Sequence, residues 1–126
     1  MRAIDTDVLV RLIVRDDPAQ TASATNFIQG GVWASVLAIA EATWVLSRVY
    51  GLSSKELAAA IEMLLNNGSL VLQDSETIAE ALDLFRKKPS LGFSDCLMLQ
   101  LARKAGHLPL GTFDRDLGKI EGTQKL

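Results

Sequence analysis

Residues 32–46 read Val32-Trp33-Ala34-Ser35-Val36-Leu37-Ala38-Ile39-Ala40-Glu41-Ala42-Thr43-Trp44-Val45-Leu46. The first four residues have the short apolar composition of a buried strand, and the rest have the length and composition of a helix. Glu41 is the only charged side chain in this stretch. A helix that is apolar nearly all round is buried on most faces, and a buried carboxylate without a partner costs several kcal/mol or takes up a proton. The stretch therefore predicts a strand followed by a buried helix, with Glu41 in a site that supplies a partner.

Similar strand-like and helix-like stretches alternate along the whole chain. The strand candidates are residues 2–5, 32–35, 70–72 and 108–112, with a weaker one at the C-terminus. The helix signals are the N-cap pair Asp17-Pro18, the capping box from Ser53 to Glu56, an N-cap at Asp74 or Ser75 with Pro89 after the helix, and an N-cap at Ser94 for residues 95–105 with Gly106 after them. Because strands alternating with helices of this length are joined by right-handed crossovers, we expect a three-layer α/β/α fold whose mostly parallel central sheet is covered on both faces.

The size and composition of the chain predict a single domain over residues 1–126, since 48% of the residues are hydrophobic. No apolar stretch reaches the roughly 18 uncharged residues of a membrane span. Asp5 and Asp7 closely follow Arg2, where a secretory signal would have its apolar core. The single cysteine, Cys96, excludes an internal disulfide. We therefore expect a cytoplasmic protein with no membrane association.

Four acidic side chains are expected to meet at one edge of the sheet. Asp5 and Asp114 each follow a strand candidate, and ligand sites in parallel sheets lie beyond the carboxyl ends of the strands. Asp95 falls in the first turn of its predicted helix, and Glu41 projects from the helix after the second strand. A divalent cation shared by these carboxylates would remove the cost of placing them together. Oxygen ligands without Cys or His suit Mg²⁺, so the pattern predicts a site for Mg²⁺ or Mn²⁺.

The net charge of −2 is unusual for a protein that binds nucleic acid. Setting aside the four proposed metal ligands changes −2 into +2, which leaves room for a modest phosphate-binding face. The arginines nearest the acidic motifs are Arg11, Arg15, Arg48 and Arg115. The only histidine, His107, follows Gly106 in a turn, where a surface role is expected rather than a catalytic one.

Four short motifs in this order resemble those of a known family. They are Ile4-Asp5-Thr6-Asp7-Val8-Leu9, Ala40-Glu41-Ala42-Thr43-Trp44-Val45-Leu46, Phe93-Ser94-Asp95-Cys96-Leu97 and Thr112-Phe113-Asp114-Arg115-Asp116. No single motif is specific, but the ordered set resembles PIN-domain ribonucleases, especially the VapC-type toxins of toxin-antitoxin pairs. The resemblance covers nearly the whole chain.

The resemblance implies a metal-dependent endoribonuclease in which Asp5, Glu41, Asp95 and Asp114 hold Mg²⁺ or Mn²⁺ and orient the attacking water. Thr112 would position a ligand or water. Asp7 and Asp116 would lie next to the metal ligands and support them without binding the metal directly. The family often has asparagine at the position of Asp7, and the alternative role for Asp7 is to cap the short helix that follows. The implied partners are a structured RNA substrate, a second copy of the chain and a small antitoxin protein whose tail covers the cleft.

Other protein classes share part of this pattern. Asp5 and Asp7 have the Asp-x-Asp spacing of haloacid-dehalogenase-type phosphatases, although Val8-Leu9 stands where those enzymes have glycine and threonine. A phospho-acceptor receiver module also combines clustered acids with a lysine-proline pair such as Lys88-Pro89. Neither class explains Glu41. A metal-free interaction domain of the same fold is the third alternative.

Overall fold

The alternation of strands and helices is confirmed by a computed structural model, which describes residues 1–126. The fold is mixed α/β, with six α-helices and strands that pair in parallel. The chain divides into two compact units, Met1–Ser75 and Glu76–Leu126. A single domain over the whole chain stays a prediction. None of the helices combines the length and the apolar character that a membrane crossing requires.

The first unit contains three strands and four helices. In chain order these are β1 (Arg2–Ile4), α1 (Thr6–Ile13), α2 (Pro18–Ile28), β2 (Val32–Ala34), α3 (Val36–Arg48), α4 (Ser54–Asn66) and β3 (Leu70–Leu72). The strands form a parallel sheet in the order β1-β2-β3, so β2 is its central strand.

Burial in this sheet follows the two-residue period of a strand. Ile4, Ala34 and Leu72 are in register and buried. The neighbouring row contains Trp33 and Val71, which keep 37% and 47% of their surface exposed. One row of the sheet therefore belongs to the hydrophobic core, and the next row is only partly covered.

Local capping signals explain where the helices of the first unit begin. The Asp17 side chain accepts a hydrogen bond from the Gln20 amide, with Pro18 at the first helical position of α2. The capping box of α4 is complete: Ser53 accepts from the Glu56 amide, and Glu56 accepts from the Ser53 amide. Both predicted helix starts are confirmed.

The second unit contains two helices and a pair of strands. Its elements are α5 (Ser75–Lys87, whose first residue belongs to the first unit), α6 (Phe93–Ala105), β4 (Leu110–Thr112), a short 3₁₀ turn (Leu117–Lys119) and β5 (Thr123–Lys125). The strands β4 and β5 pair in parallel as a separate two-stranded sheet. Gly106 ends α6 in the left-handed conformation at φ 81°, as its position in the sequence predicts.

Two predicted boundaries in this unit are wrong. The helix that we expected to begin after Ser94 begins at Phe93, and Gly92 is its N-cap residue without a side-chain cap. Phe93 is buried and packs edge-to-face against Phe85, with ring centroids 5.9 Å apart, which favours its inclusion in α6. The strand predicted from residue 108 begins at Leu110, because Pro109 has no amide to donate to a strand ladder.

Candidate metal centre

Asp5 directly follows β1 and is the N-cap residue of α1. Its backbone is extended, and its carboxylate oxygen Oδ1 accepts a hydrogen bond from the Val8 amide at 3.2 Å. The side chain is exposed. This oxygen thus satisfies one of the free amides at the start of the helix.

Glu41 is held in place by the hydroxyl of Thr6. Thr6 Oγ1 donates a hydrogen bond to Glu41 Oε2 over 2.9 Å, across the packed pair α1 and α3. Thr6 is the residue next to Asp5, so the start of α1 both carries one acid and orients a second. The sequence reasoning did not assign this role to Thr6, and only its position beside Asp5 would have indicated it.

The expectation that Glu41 is buried is wrong. The side chains that α3 buries are those of Ala38, Ile39, Ala42, Thr43 and Leu46. The opposite face carries Leu37, Glu41 and Trp44, all of them exposed. The sequence misled because Leu37 and Trp44 are apolar yet lie at the surface, so composition alone does not show which face of α3 is buried.

The fold changes the ionisation of Asp95. It lies in the first turn of α6 and is partly buried. Burial, and next to it the negative charge of Asp114, raise the pKa of the Asp95 carboxyl above its ordinary value. Both causes disfavour the carboxylate form, and a cation bound nearby would favour that form.

Asp114 lies in the loop after β4 and is exposed. Its carboxylate oxygen Oδ1 accepts a hydrogen bond at 2.8 Å from the amide of Leu117, the first residue of the 3₁₀ turn. The Asp114 amide donates to Thr112 Oγ1 at 3.0 Å. The Thr112 hydroxyl therefore holds the backbone of Asp114 in place, so Thr112 supports Asp114 through the loop.

Asp7 and Asp116 are the two acids expected to support the metal ligands. Asp5 caps α1, so the alternative role of Asp7 as the helix cap is wrong; Asp7 lies in the first turn of the helix with its side chain exposed. Asp116 is exposed, and its backbone carbonyl accepts from the Lys119 amide. A supporting role for either side chain stays a prediction.

The donor chemistry of the four acids fits a hard divalent cation. All four offer carboxylate oxygens, and three of them are exposed to solvent. No group of three or more His, Cys, Asp or Glu side chains is arranged to hold a metal ion. The structure describes Asp5 and Glu41 in the first unit and Asp95 and Asp114 in the second. Convergence of all four on one ion stays a prediction.

The arginines differ in their availability for phosphate. Arg11 is paired with Asp16, and its Nη2 also donates to the Tyr50 hydroxyl at 2.6 Å. Both contacts engage the guanidinium that a phosphate would need. Arg48 is exposed, with its guanidinium 5.9 Å from the centre of the Trp44 ring. Arg15 and Arg115 are exposed, as is His107.

A cavity of about 640 Å³ lies between α1, α2 and the C-terminal end of α3. Its apolar wall consists of Val8, Val10, Ala24, Phe27, Val45 and Val49. Asp7, Arg11 and Tyr50 supply polar groups. Neither Asp5 nor Glu41 lines this cavity, so it is a separate feature from the acidic pair of the first unit.

Cys96 follows Asp95 in α6 and is fully buried. Burial, and next to it the charge of Asp95, raise the pKa of the Cys96 thiol to about 11. The thiol is therefore neutral and inert at physiological pH, and Cys96 serves as a packed side chain of the core.

The family model of the PIN domain matches residues 3–122 of the chain. No curated protein and no solved structure matches it.

Proposed function

Because the chain belongs to the PIN-domain family, whose members are typically metal-dependent nucleases, we propose that it is an endoribonuclease and the toxin of a VapC-type toxin-antitoxin pair. The observation that carries the metal dependence is the family match over residues 3–122, and the raised pKa of Asp95 agrees with it. Burial and the Asp114 charge make this carboxylate unfavourable by itself. A bound divalent cation would reverse that preference.

Asp5, Glu41, Asp95 and Asp114 would hold Mg²⁺ or Mn²⁺. When bound, such an ion supplies water activation and relief of charge on the phosphate oxygens. The side chains around the acids orient them. Thr6 fixes the carboxylate of Glu41, and Thr112 fixes the loop of Asp114.

The two compact units would act as one domain. The support is the family match, which runs from residue 3 to residue 122 and therefore spans both units. The same match gives no support to the phosphatase and receiver alternatives, which belong to other families.

The partners would be a second copy of the chain and an antitoxin. The cavity between α1, α2 and α3 supports an antitoxin contact, because its volume and its apolar wall suit one or two anchoring side chains of a partner. The homodimer has weaker support. The apolar side chains on or next to α3 and α4 that could form its surface are Trp44, Val45, Leu46, Val49, Leu57, Ile61, Leu64 and Leu65. Leu46, Leu57, Ile61 and Leu64 are buried in the core, whereas Trp44 and Val49 are exposed.

The test is cleavage of total cellular RNA by the purified protein in Mg²⁺, Mn²⁺ or EDTA, with mapping of the new RNA ends. We expect cleavage with either metal and none with EDTA. Asp5→Asn or Asp95→Asn should reduce the rate at least about 100-fold, because an amide is a poorer ligand for a hard cation. Asp83→Asn is the matched control, since Asp83 is an exposed acid on α5 outside the motifs.

Undiminished cleavage by an Asp5→Asn, Asp95→Asn double variant would show that these acids do not carry the reaction. Release of inorganic phosphate from small phosphate esters by the wild type, without RNA cleavage, would support the phosphatase alternative instead.

A further inference from the structure

The exposed face of α3 carries two large apolar side chains on either side of Glu41. Leu37 is 66% exposed and Trp44 is 58% exposed. Leu37 lies one helical turn before Glu41 and Trp44 one turn after it, because residues three and four apart are neighbours on a helix surface. The packing of the first unit does not explain why the Trp44 indole is exposed to solvent beside the Glu41 carboxylate.

Arg48 extends this face by one more turn. Its guanidinium lies 5.9 Å from the centre of the Trp44 ring, within the range of a cation–π contact. Trp44 thus has a cation at one side and the Glu41 carboxylate at the other. An aromatic platform combined with a cation is the arrangement that binds unpaired nucleotides, since the ring stacks on a base and the cation attracts a phosphate.

We infer that Trp44 is a stacking platform for an unpaired nucleobase of the RNA, and that Arg48 contacts a phosphate next to that base. The inference rests on the proposed ribonuclease function and names its substrate class. The bases of duplex RNA are stacked on each other and inaccessible, so the site selects single-stranded loops or ends.

A protein partner fits this face less well than RNA does. The centre of a protein interface is depleted of Glu, Asp and Lys, although Trp and Arg are enriched there, so Glu41 is the residue that disfavours a protein partner. Here Glu41 separates Leu37 from Trp44, and Arg48 follows, so apolar and charged side chains alternate along the face. A nucleotide has an apolar base face close to a charged phosphate. The base would stack on Trp44, and the phosphate would contact Arg48, the next residue along the face.

The test measures RNA binding by the full chain in EDTA, so that affinity is obtained without cleavage. Fluorescence anisotropy follows a fluorescein-labelled unstructured RNA of about 12 nucleotides, a length suited to a short single-strand site, and a duplex of the same length. The variants are Trp44→Ala, Trp44→Phe, Trp44→Leu and Arg48→Ala. Met63→Ala is the matched control, because Met63 is 60% exposed on α4 and lies outside the proposed site.

We expect Trp44→Ala to weaken single-strand binding about tenfold, the size of one lost base-stacking contact. Trp44→Phe should stay within about threefold of the wild type, because it keeps an aromatic ring, while Trp44→Leu should resemble Trp44→Ala. Arg48→Ala should weaken binding and reduce its salt dependence. Duplex binding should not change in the Trp44 variants, and Met63→Ala should behave as the wild type.

Two results overturn the inference. The first is single-strand binding by Trp44→Ala equal to that of the wild type, in which case metal-dependent cleavage by the wild type still supports the ribonuclease. The second is a dimer that dissociates in Trp44→Ala, which identifies the face as an interface between copies. The expected binding changes without cleavage in any metal would support the stacking site and count against the ribonuclease proposal.

Discussion

Asp95 shows how the position of one carboxyl group can link metal binding to stability. Its pKa is raised by burial and by Asp114, so the folded state favours its protonated form. The stability associated with that preference is fully present below the ordinary pKa of 3.8 and is lost as the pH rises through the higher folded value. At neutral pH and without metal, the ionised side chain therefore destabilises the fold.

Asp95→Asn should raise the melting temperature in EDTA at pH 7 by about 2 °C, the size expected from a charge interaction that solvent partly screens. The difference should disappear at acid pH, where the wild-type carboxyl is protonated. With saturating Mn²⁺ the order should reverse, because the wild type is stabilised by ligand binding and the variant less so. Thermal melts under the three conditions measure this, and a variant destabilised equally in EDTA and Mn²⁺ would rule out a shared metal site.

Thr6 provides a second prediction at this scale. Thr6→Val keeps the shape of the side chain and removes the hydroxyl that donates to Glu41 Oε2. We expect the Mn²⁺ concentration needed for half-maximal cleavage to rise about tenfold, as for other losses of a hydrogen bond to a metal ligand. Thr6→Ser keeps the donor and should stay close to the wild type. Identical metal dependence of Thr6→Val and Thr6→Ser would show that the Thr6 hydroxyl does not support the metal site.

At the scale of the element, α4 is the helix whose start is best defined by local contacts. The hydrogen bonds of its capping box lower the pKa of Glu56, first through the Ser53 amide and then through the Ser53 hydroxyl. A lowered folded pKa means that the contribution to stability is present above the unfolded pKa and is lost as the pH falls through the folded value. The cap of α4 should therefore weaken in acid.

Ser53→Ala should cost about 1 kcal/mol of unfolding free energy and lower the melting temperature by about 3–6 °C at pH 7. Ser47→Ala is the control, because Ser47 is exposed inside α3 and caps no helix. Glu56→Gln should also be less stable than the wild type at pH 7, by a margin that shrinks below about pH 4. Chemical denaturation of the three variants across this pH range is the measurement, and a margin independent of pH would contradict the charged cap.

At the scale of the whole molecule, assembly with a partner depends on which apolar side chains of α3 and α4 remain exposed. Of the eight apolar side chains on or next to these helices that could form a partner surface, Leu46, Leu57, Ile61 and Leu64 are buried in the core, Val45 and Leu65 are partly buried, and Trp44 and Val49 are exposed. Val49 remains exposed at the rim of the cavity between α1, α2 and α3. This rim is the apolar surface that a partner would cover.

We expect light scattering at high micromolar concentration to give about twice the chain mass of 13.6 kDa, and a small neighbouring protein to co-purify from the native host. Trp44→Ala should leave the mass unchanged, because Trp44 is assigned to RNA. A stable monomer that co-purifies with no partner would contradict the toxin-antitoxin assignment and leave the nuclease reaction to its own test.

The sequence by itself determined the elements and most of their ends. The starts of α2 and α4 and the end of α6 depend on residues such as Asp17, Ser53 and Gly106, which act on backbone groups only a few positions away. Such contacts are present whatever the rest of the chain does, so they can be predicted from short patterns. The strands were recognised for the same reason, by short apolar composition.

Only the tertiary structure decided how the acids are surrounded. The Thr6 to Glu41 hydrogen bond joins residues 35 positions apart, and it exists because α1 packs against α3. The same packing turns Ala42 inward and leaves Glu41 and Trp44 in solvent, although the whole stretch is apolar in composition. Which face of an apolar helix is buried depends on its neighbours in space, and a linear sequence does not specify those neighbours directly.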